Sequence, residues 1–419
     1  MAEKEQESKH KKEKINNNNI FSKENINIGH QSEIDYIKAI CVFLIVIVHI
    51  YINFSFGILL QIILFTLNLI SANTLMFLMG IGMRYSRHHE PQNYISRGIA
   101  LLTISQFLNL IRDTLPNLIA WWTTGNKKFI SRALLVLETD ILTFAGISFL
   151  FFALLKKIKL SEQIILAIGI IMNFFGVYIY KIMKTPSNFF LRQFLGYFIL
   201  TKNTESFFPL SGYFIFVAFG YWIGGILQKI SNKDKFYNRI LMFGIPILPL
   251  FLYFIIKNYI PFFPQYNNIE IYCMMPGPFS IIYCIDNLTI LAIFYKIQKI
   301  FKGKTPEFIT HASKNLNQYY IISYTITMQM NVFLKATRGE KFPSEIKYPT
   351  LYVFILLFLC RILIDINDKY IHISITTLKE PMRKYVFTLI WIATGISVIY
   401  IYPKVDIFAN IWNNYLNET

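Results

Sequence analysis

Lys38 and His49 stand inside an apolar run near the amino terminus, DYIKAICVFLIVIVHIYIN at 35–53. They are eleven residues apart, which on an α-helix brings them within about 20° of one face and about 16 Å apart along the axis. A neutral imidazole accepts a proton from a hydroxyl, so this His is a candidate general base. The alternative is a His that only packs and forms a hydrogen bond. The cost of an ionisable group in a bilayer, unless it faces the bundle interior, favours a functional role.

Other ionisable groups occur in further apolar runs at the depth expected for His49, about 9 Å below the outer end of its helix. They are Arg112, Asp113, Glu138, Asp140 and Asp286. A carboxylate on the second imidazole nitrogen would fix the tautomer and stabilise the imidazolium. Asp140 is the first choice for this partner and Asp286 the second. Alternatively, the acids pair with Arg112 or with backbone donors and only hold the bundle together.

A second, cationic group gathers where the first three apolar runs meet the predicted cytoplasmic face. Its members are Lys38, Arg84, Arg87, His88, His89 and Arg97. Such a cluster can hold the phosphates of a nucleotide-bearing donor. The alternative is the general excess of Lys and Arg in cytoplasmic connections. Arg361 and Asp365, spaced i and i+4, are expected to neutralise one another.

The composition predicts a membrane protein. Hydrophobic residues make up 54% of the 419 residues, and the mean hydropathy is +0.43, so one soluble core cannot bury the apolar runs. The formal charge of +17 resides mainly in short connections, where membrane topology explains it better than nucleic-acid binding. We therefore predict no nucleic-acid partner.

Eleven apolar runs are long enough to span a bilayer core of about 30 Å. They are 36–55, 61–84, 97–115, 133–156, 162–182, 207–229, 239–257, 279–300, 316–335, 348–368 and 385–402. The short run 189–200 contains Arg192 and is predicted to be interfacial or re-entrant. With the amino terminus inside, the basic connections fall on the cytoplasmic side. We predict an all-α, polytopic bundle of about 10–11 transmembrane helices.

The predicted organisation has three parts. Residues 1–32, rich in Lys, Glu and Asn, form a disordered cytoplasmic tail, residues 33–404 form the membrane domain, and residues 405–419 form a short second tail. The aromatic segment 259–278 becomes the longest outer loop. No signal peptide is expected.

Metal and nucleotide motifs are not found. His88, His89 and Glu90 are adjacent and lack the i, i+4 spacing of a helical zinc site. The pair Gly80 and Gly82 lies in an apolar run and not at a strand-to-helix turn. Four scattered cysteines give neither a CxxC pair nor a disulfide framework: Cys41, Cys273, Cys284 and Cys360. Chemistry without a metal is expected.

The first apolar run, with a basic residue, ten others and then His, resembles the membrane acyltransferase 3 family. Softer resemblances are MFLMGIGMRYSR at 76–87, SRGIALLTI at 96–104, FFPLSGYFIFVAFGYWIGGIL at 207–227 and ASKNLNQYYIISYTI at 312–326. Together they cover most of 33–366. The segment ETDILTFAGISFLF at 138–151 is also similar to the heparan glucosaminide acetyltransferase branch. The chain thus resembles the wider transmembrane acyltransferase superfamily.

The resemblance implies an O-acyltransferase in a cell inner membrane. An acyl group, commonly acetyl, would pass from cytoplasmic acyl coenzyme A to a hydroxyl of a glycan or small-molecule acceptor. His49 would be catalytic, and Lys38 would lie toward the donor side. The cationic group described above adds Arg84, Arg87 and Arg97 as candidates for donor binding. Another hypothesis is a proton-coupled transporter or flippase that uses His49 and the buried acids as a relay. A non-catalytic scaffold leaves the spacing of Lys38 and His49 unexplained.

Overall fold

The computed structural model describes residues 19–54, 70, 72–183, 186–199, 206–259, 277–301, 305–339, 348–371 and 381–405. Helices account for 84% of the structure and the described residues contain no strand, so the protein is all-α as predicted. Most of the predicted outer loop at 259–278 (residues 260–276, with Cys273) and nearly all of the tail at 405–419 lie outside the described residues.

Fifteen α-helices are described, numbered here in chain order. They are α1 (Ser32–Phe54), α2 (Ala72–Tyr85), α3 (Pro91–Asn109), α4 (Leu115–Thr124), α5 (Lys127–Ala133), α6 (Ile141–Lys157), α7 (Glu162–Ile182), α8 (Phe189–Gly196), α9 (Leu210–Gln228), α10 (Lys233–Tyr259), α11 (Gly277–Ile300), α12 (Glu307–Lys314), α13 (Leu316–Arg338), α14 (Pro349–Ile366) and α15 (Met382–Ile401). A π-helical turn, Leu110–Thr114, joins α3 to α4, and a 3₁₀ turn, Leu134–Leu137, follows α5.

Seven described stretches are long and apolar enough to cross a membrane: Ser32–Tyr51, Pro91–Thr124, Glu162–Tyr180, Leu210–Gln228, Gly277–Ile300, Pro349–Tyr370 and Met382–Lys404. These are the signature of a multi-pass membrane protein. The other four predicted runs give no such stretch among the described residues. Helix α6 has only 17 residues, and α13 carries Asn and Gln side chains along its length. Helix α8, with 8 residues, is about 12 Å long, too short to cross.

The helices pack in two groups around α1. Helix α9 packs against α2 and α7, and α3 packs against α6. Helix α1 contacts α11, α12, α13 and α14, and makes fewer contacts with α2. Helix α1 therefore belongs mainly to the group formed with α11, α12, α13 and α14, and it touches the other group through α2.

One end of this bundle collects the start of α1 with the ends of α2 and α9. Here Arg84 forms an ion pair with Glu162 at 2.7 Å and donates to Gln228 at 3.2 Å. At the same end Lys233 forms an ion pair with Glu33 at 2.9 Å. We call this the basic end of the bundle. The basic connections at 84–97 and 229–239 lie at this end.

The amino-terminal segment 19–31 lies against the basic end. The Ser22 amide donates to the Lys229 carbonyl at 2.7 Å, and the Ile26 amide donates to the Gln228 carbonyl at 2.9 Å. The carbonyls at the end of α9 have no partners inside their own helix, so the segment satisfies them. This part of the predicted tail is held on the bundle, while residues 1–18 lie outside the described residues.

Helices α2 and α9 approach closely because each has a glycine at the contact. A Cβ on Gly80 would collide with the Val217 carbonyl, and one on Gly220 would collide with the Phe77 carbonyl. Small residues let membrane helices bring their backbones together. The position of α2, which ends at the cationic Arg84, depends on this contact.

The Gly220→Ala substitution is expected to lower the thermal unfolding midpoint in detergent, because the added methyl group must push the two backbones apart at a cost of about 1–3 kcal/mol. Gly82→Ala is the matched control, since no heavy atom lies within 4 Å of the added Cβ and Ala is the better helix former. Equal midpoints for the two variants would contradict this account of the contact.

Candidate functional site

His49 lies in the last two turns of α1, and its ring stacks on Tyr324. The ring centroids are 3.8 Å apart and the planes are inclined by 7°. The Tyr320 ring is 5.9 Å from the imidazole. His49 is half-buried, and its Nδ1 is buried with no hydrogen-bond partner among the described residues. The imidazole is thus held in one plane by aromatic contacts while Nδ1 stays open to a further partner.

The Tyr324 ring is sandwiched between His49 and Arg112. The Arg112 guanidinium carbon lies 4.2 Å from the ring centroid. Because the imidazole covers one face at 3.8 Å, the guanidinium occupies the other. Cation–π attraction is strongest where water is excluded, and Arg112 is fully buried. Tyr324 thereby couples the position of the candidate base to that of a buried charge.

Arg112 is the centre of a buried ion cluster. Its Nε donates to Asp113 and its Nη2 to Glu138, both at 2.5 Å. The π-helical turn Leu110–Thr114 places Arg112 and Asp113, and such turns are frequent at functional sites. Asn109 donates to the Glu138 carbonyl at 3.1 Å and so holds the loop before α6. For Glu138 and Asp113, the structure favours the alternative in which the acids pair with Arg112.

Asp140 lies in the same cluster of side chains but makes no hydrogen bond to His49 among the described contacts. It is the amino-terminal cap of α6 and accepts from the Thr143 amide at 2.9 Å, the usual role of an aspartate at this position. Ser105 Oγ donates to it at 2.8 Å and Tyr320 Oη at 3.2 Å. Asp140 therefore reaches the imidazole only through Tyr320, whose ring contacts His49.

Asp286 is buried in α11. Neither carboxylate oxygen has a hydrogen-bond partner among the described residues. Its neighbour Asn287 accepts from Thr74 Oγ1 at 2.7 Å and ties α11 to α2. The structure therefore shows Asp286 buried beside a helix contact, and no hydrogen bond joins it to the imidazole among the described residues.

Asp286→Asn is expected to leave insertion, thermal stability and any His49-dependent activity within about twofold of wild type. Neither carboxylate oxygen makes a hydrogen bond with the described residues that the substitution would break, and asparagine has nearly the same shape. The measurements are the unfolding midpoint and any activity that depends on His49. Tyr283→Phe, three residues away, is the control for general disturbance of α11. Loss of activity in a well-folded Asp286→Asn protein would show that Asp286 is part of the functional site.

The candidate donor-binding cations lie at the basic end. Helix α1 is continuous, so Lys38 and His49 occupy the predicted face and spacing. Arg97 lies near enough to Lys38 for their charges to interact, and its guanidinium carbon is 5.2 Å from the Phe149 ring centroid. Arg87 is exposed between α2 and α3. Arg84 is already engaged by its ion pair and hydrogen bonds, so its role here is structural as well as electrostatic.

The ion pair predicted for the inner half of α14 is confirmed. Arg361 Nε lies 3.5 Å from Asp365 Oδ2, and Arg361 also pairs with Glu307 at 2.8 Å. His311 contacts the same aspartate at 3.0 Å. These exposed contacts fasten the short helix α12 to α14.

No metal site is formed by the described residues, in which no group of three or more His, Cys, Asp and Glu could hold an ion. Cys41, Cys284 and Cys360 are free and buried. Comparison with known proteins adds nothing to the geometry: no family model, no curated protein and no solved structure matches the chain.

Tyr320 and Tyr324 are the site residues that the sequence did not single out. Their i, i+4 spacing does place both on one face of α13, and this was the available signal. Aromatic residues make up 17% of the chain, so one such pair does not stand out. Ser105 gave no signal, because its role depends on Asp140 in another helix.

Proposed function

We propose that the protein is an integral-membrane O-acyltransferase with His49 as its general base. The observation that carries the proposal is the position of this imidazole. It lies inside a membrane-length helix, on the same face as Lys38, clamped by Tyr324, with a ring nitrogen still open. The donor would be acyl coenzyme A, acetyl in the first instance, and the acceptor a hydroxyl of a glycan or small molecule.

The reaction places defined demands on these side chains. The open imidazole nitrogen takes the proton of the acceptor hydroxyl while its oxygen forms a bond to the acyl carbon. The carbon–sulfur bond then breaks, and the imidazolium returns the proton to the departing thiolate. Stacking on Tyr324 keeps the ring in one plane through both transfers. Tyr320, bonded to Asp140, supplies a fixed polar contact beside the ring.

The proposed topology follows the sequence. The protein would cross a cell inner membrane eleven times, with its amino terminus in the cytoplasm. This orientation places the basic end on the cytoplasmic side. Donor phosphates would then meet Lys38 and Arg97, while the acceptor would approach His49 from the other end. The length of α1 between Lys38 and His49, about 16 Å, separates the two binding regions.

A transporter or flippase remains the second candidate, and the buried ionisable groups favour it. Arg112, the pair Glu138 and Asp140, and Asp286 lie on three different parts of the bundle interior, as the members of a proton relay do. Solute flux across sealed vesicles, driven by a proton gradient and needing no acyl donor, would decide for this candidate.

The deciding experiment follows radiolabel from acetyl coenzyme A in membranes that contain the protein. Glycan and small-molecule fractions are counted separately, with longer acyl donors as further arms and membranes lacking the protein as the control. Label that appears in one fraction only with the protein supports acyl transfer and identifies the acceptor class. The transporter would replace the proposal if labelling were the same with and without the protein for every acyl donor, and if solute flux occurred without a donor.

A further inference from the structure

The cations of the basic end fall into two groups that differ in their partners. In the first group, Lys296 and Lys299 pair with Asp234 at 3.5 and 2.6 Å, and Lys233 pairs with Glu33 at 2.9 Å. Each lysine of this group therefore has an acid beside it. The positive-inside rule accounts for such residues without a ligand.

The second group lies between the end of α2, the start of α3 and the ends of α6 and α9. It contains Arg84, Arg97 and Lys156, and among the described residues only Glu162 forms an ion pair with it, through Arg84. Lys156 Nζ donates to the buried hydroxyl of Tyr221 at 3.1 Å. Two cations of this group, Arg97 and Lys156, thus have no carboxylate partner in the part of the chain that the structure describes.

The positive field of this group reaches the connection between α2 and α3. The pKa of His89, which lies in that connection, is lowered first by partial burial and then by the nearby charges of Arg84 and Lys156. An anion bound among these cations would relieve the same repulsion.

Tyr94 adds a buried donor to the group. Its side chain is 3% exposed, and its hydroxyl has no hydrogen-bond partner among the described residues. The hydroxyl lies near enough to Tyr221, Arg84 and Arg97 for electrostatic interaction. A buried hydroxyl without a partner is costly, and a ligand oxygen would remove that cost. The positive-inside rule explains the cations but not this hydroxyl.

We propose that Tyr94, Arg97 and Lys156 form a phosphate-binding site at the basic end of the bundle. A phenol, a guanidinium and an ammonium group supply donors of the kind that phosphate oxygens accept. Arg84 adds positive charge, while its ion pair with Glu162 fixes its position. In naming coenzyme A as the bearer of the phosphates, this inference rests on the proposed function.

The test is equilibrium binding to the purified full-length protein in nanodiscs of phosphatidylcholine. The probes are coenzyme A, pantetheine, pyrophosphate and a short-chain phosphatidylglycerol. We expect binding of the phosphate-bearing probes to weaken at least about tenfold in Lys156→Gln, Arg97→Gln and Tyr94→Phe. Binding of pantetheine should not change. Lys156→Arg should restore most of the affinity. Raising the salt concentration should weaken binding of the phosphate-bearing probes more for the wild-type protein than for Lys156→Gln.

The controls remove equivalent groups outside the site. Lys299→Gln removes a paired lysine of the first group, and Tyr36→Phe removes another buried hydroxyl without a partner among the described residues. Neither is expected to change binding. The proposal of this site would be rejected if the phosphate-bearing probes bound all variants equally or did not bind the wild-type protein. Variant-sensitive binding of pyrophosphate or the lipid, with none of coenzyme A, would support the site and reject acyl coenzyme A as the donor.

Discussion

Membranes that contain His49→Ala are expected to transfer acyl groups about 10²- to 10⁴-fold more slowly than those with the wild-type protein, the usual range for loss of a general base. The stacked imidazole disappears, and no other histidine of the described residues lies in this part of the bundle. The measurement is initial-rate transfer of label from acetyl coenzyme A at equal protein level, with the unfolding midpoint and membrane insertion measured for both proteins.

Two further variants separate the base from its surroundings. Tyr324→Leu keeps the imidazole but removes the ring on which it stacks, so a smaller loss of turnover is expected, with little change in binding of the donor. His30→Ala, which removes an exposed histidine paired with Asp35, should have no effect on transfer. A correctly inserted His49→Ala protein with wild-type activity would reject His49 as the base.

The helical architecture and the face shared by Lys38 and His49 could be predicted because both depend on local pattern. Long apolar runs with few charges specify membrane-length helices. Within one continuous helix the spacing of two residues fixes their relative direction. The prediction that Arg361 pairs with Asp365 holds for the same reason, since four residues separate them.

The partners of the buried acids could not be predicted from local pattern. Asp140 receives hydrogen bonds from Ser105 and Tyr320, which lie 35 and 180 residues away. Its capping role at the start of α6 is local and agrees with the alternative in which the acids bond to backbone donors. Glu138 pairs with Arg112, which lies in a π-helical turn 26 residues earlier in the chain. Such pairings depend on how helices pack, which the order of residues in one helix does not specify.

The segment 19–31 illustrates a related difficulty. Its polar composition favours a disordered tail, but its backbone amides satisfy carbonyls at the end of α9. The Tyr85 hydroxyl also donates to the Asn27 carbonyl at 3.0 Å. The partners lie about 60 and 200 residues away, so composition alone gives no indication of them.

Arg112→Met is expected to destabilise the protein by about 3–5 kcal/mol, the usual cost of removing one partner of a buried ion pair. Asp113 and Glu138 would lose the guanidinium that compensates them, and Tyr324 would lose the cation on one face. The measurement is unfolding in detergent followed by helical signal. Arg361→Met is the control, because it breaks exposed pairs with Glu307 and Asp365 and should cost less than about 1 kcal/mol.

Compensating substitutions test whether the loss comes from the stranded charges. If it does, Arg112→Met combined with Asp113→Asn and Glu138→Gln should recover much of the stability, because the two side chains that lose the guanidinium are then neutral. Activity need not return with it, since neutral side chains do not hold Tyr324 against His49 as the guanidinium does. Recovery of stability without transfer would assign Arg112 a positioning role at the site. A triple variant as unstable as Arg112→Met would instead show that packing of the arginine, and not its charge, holds this end of the bundle together.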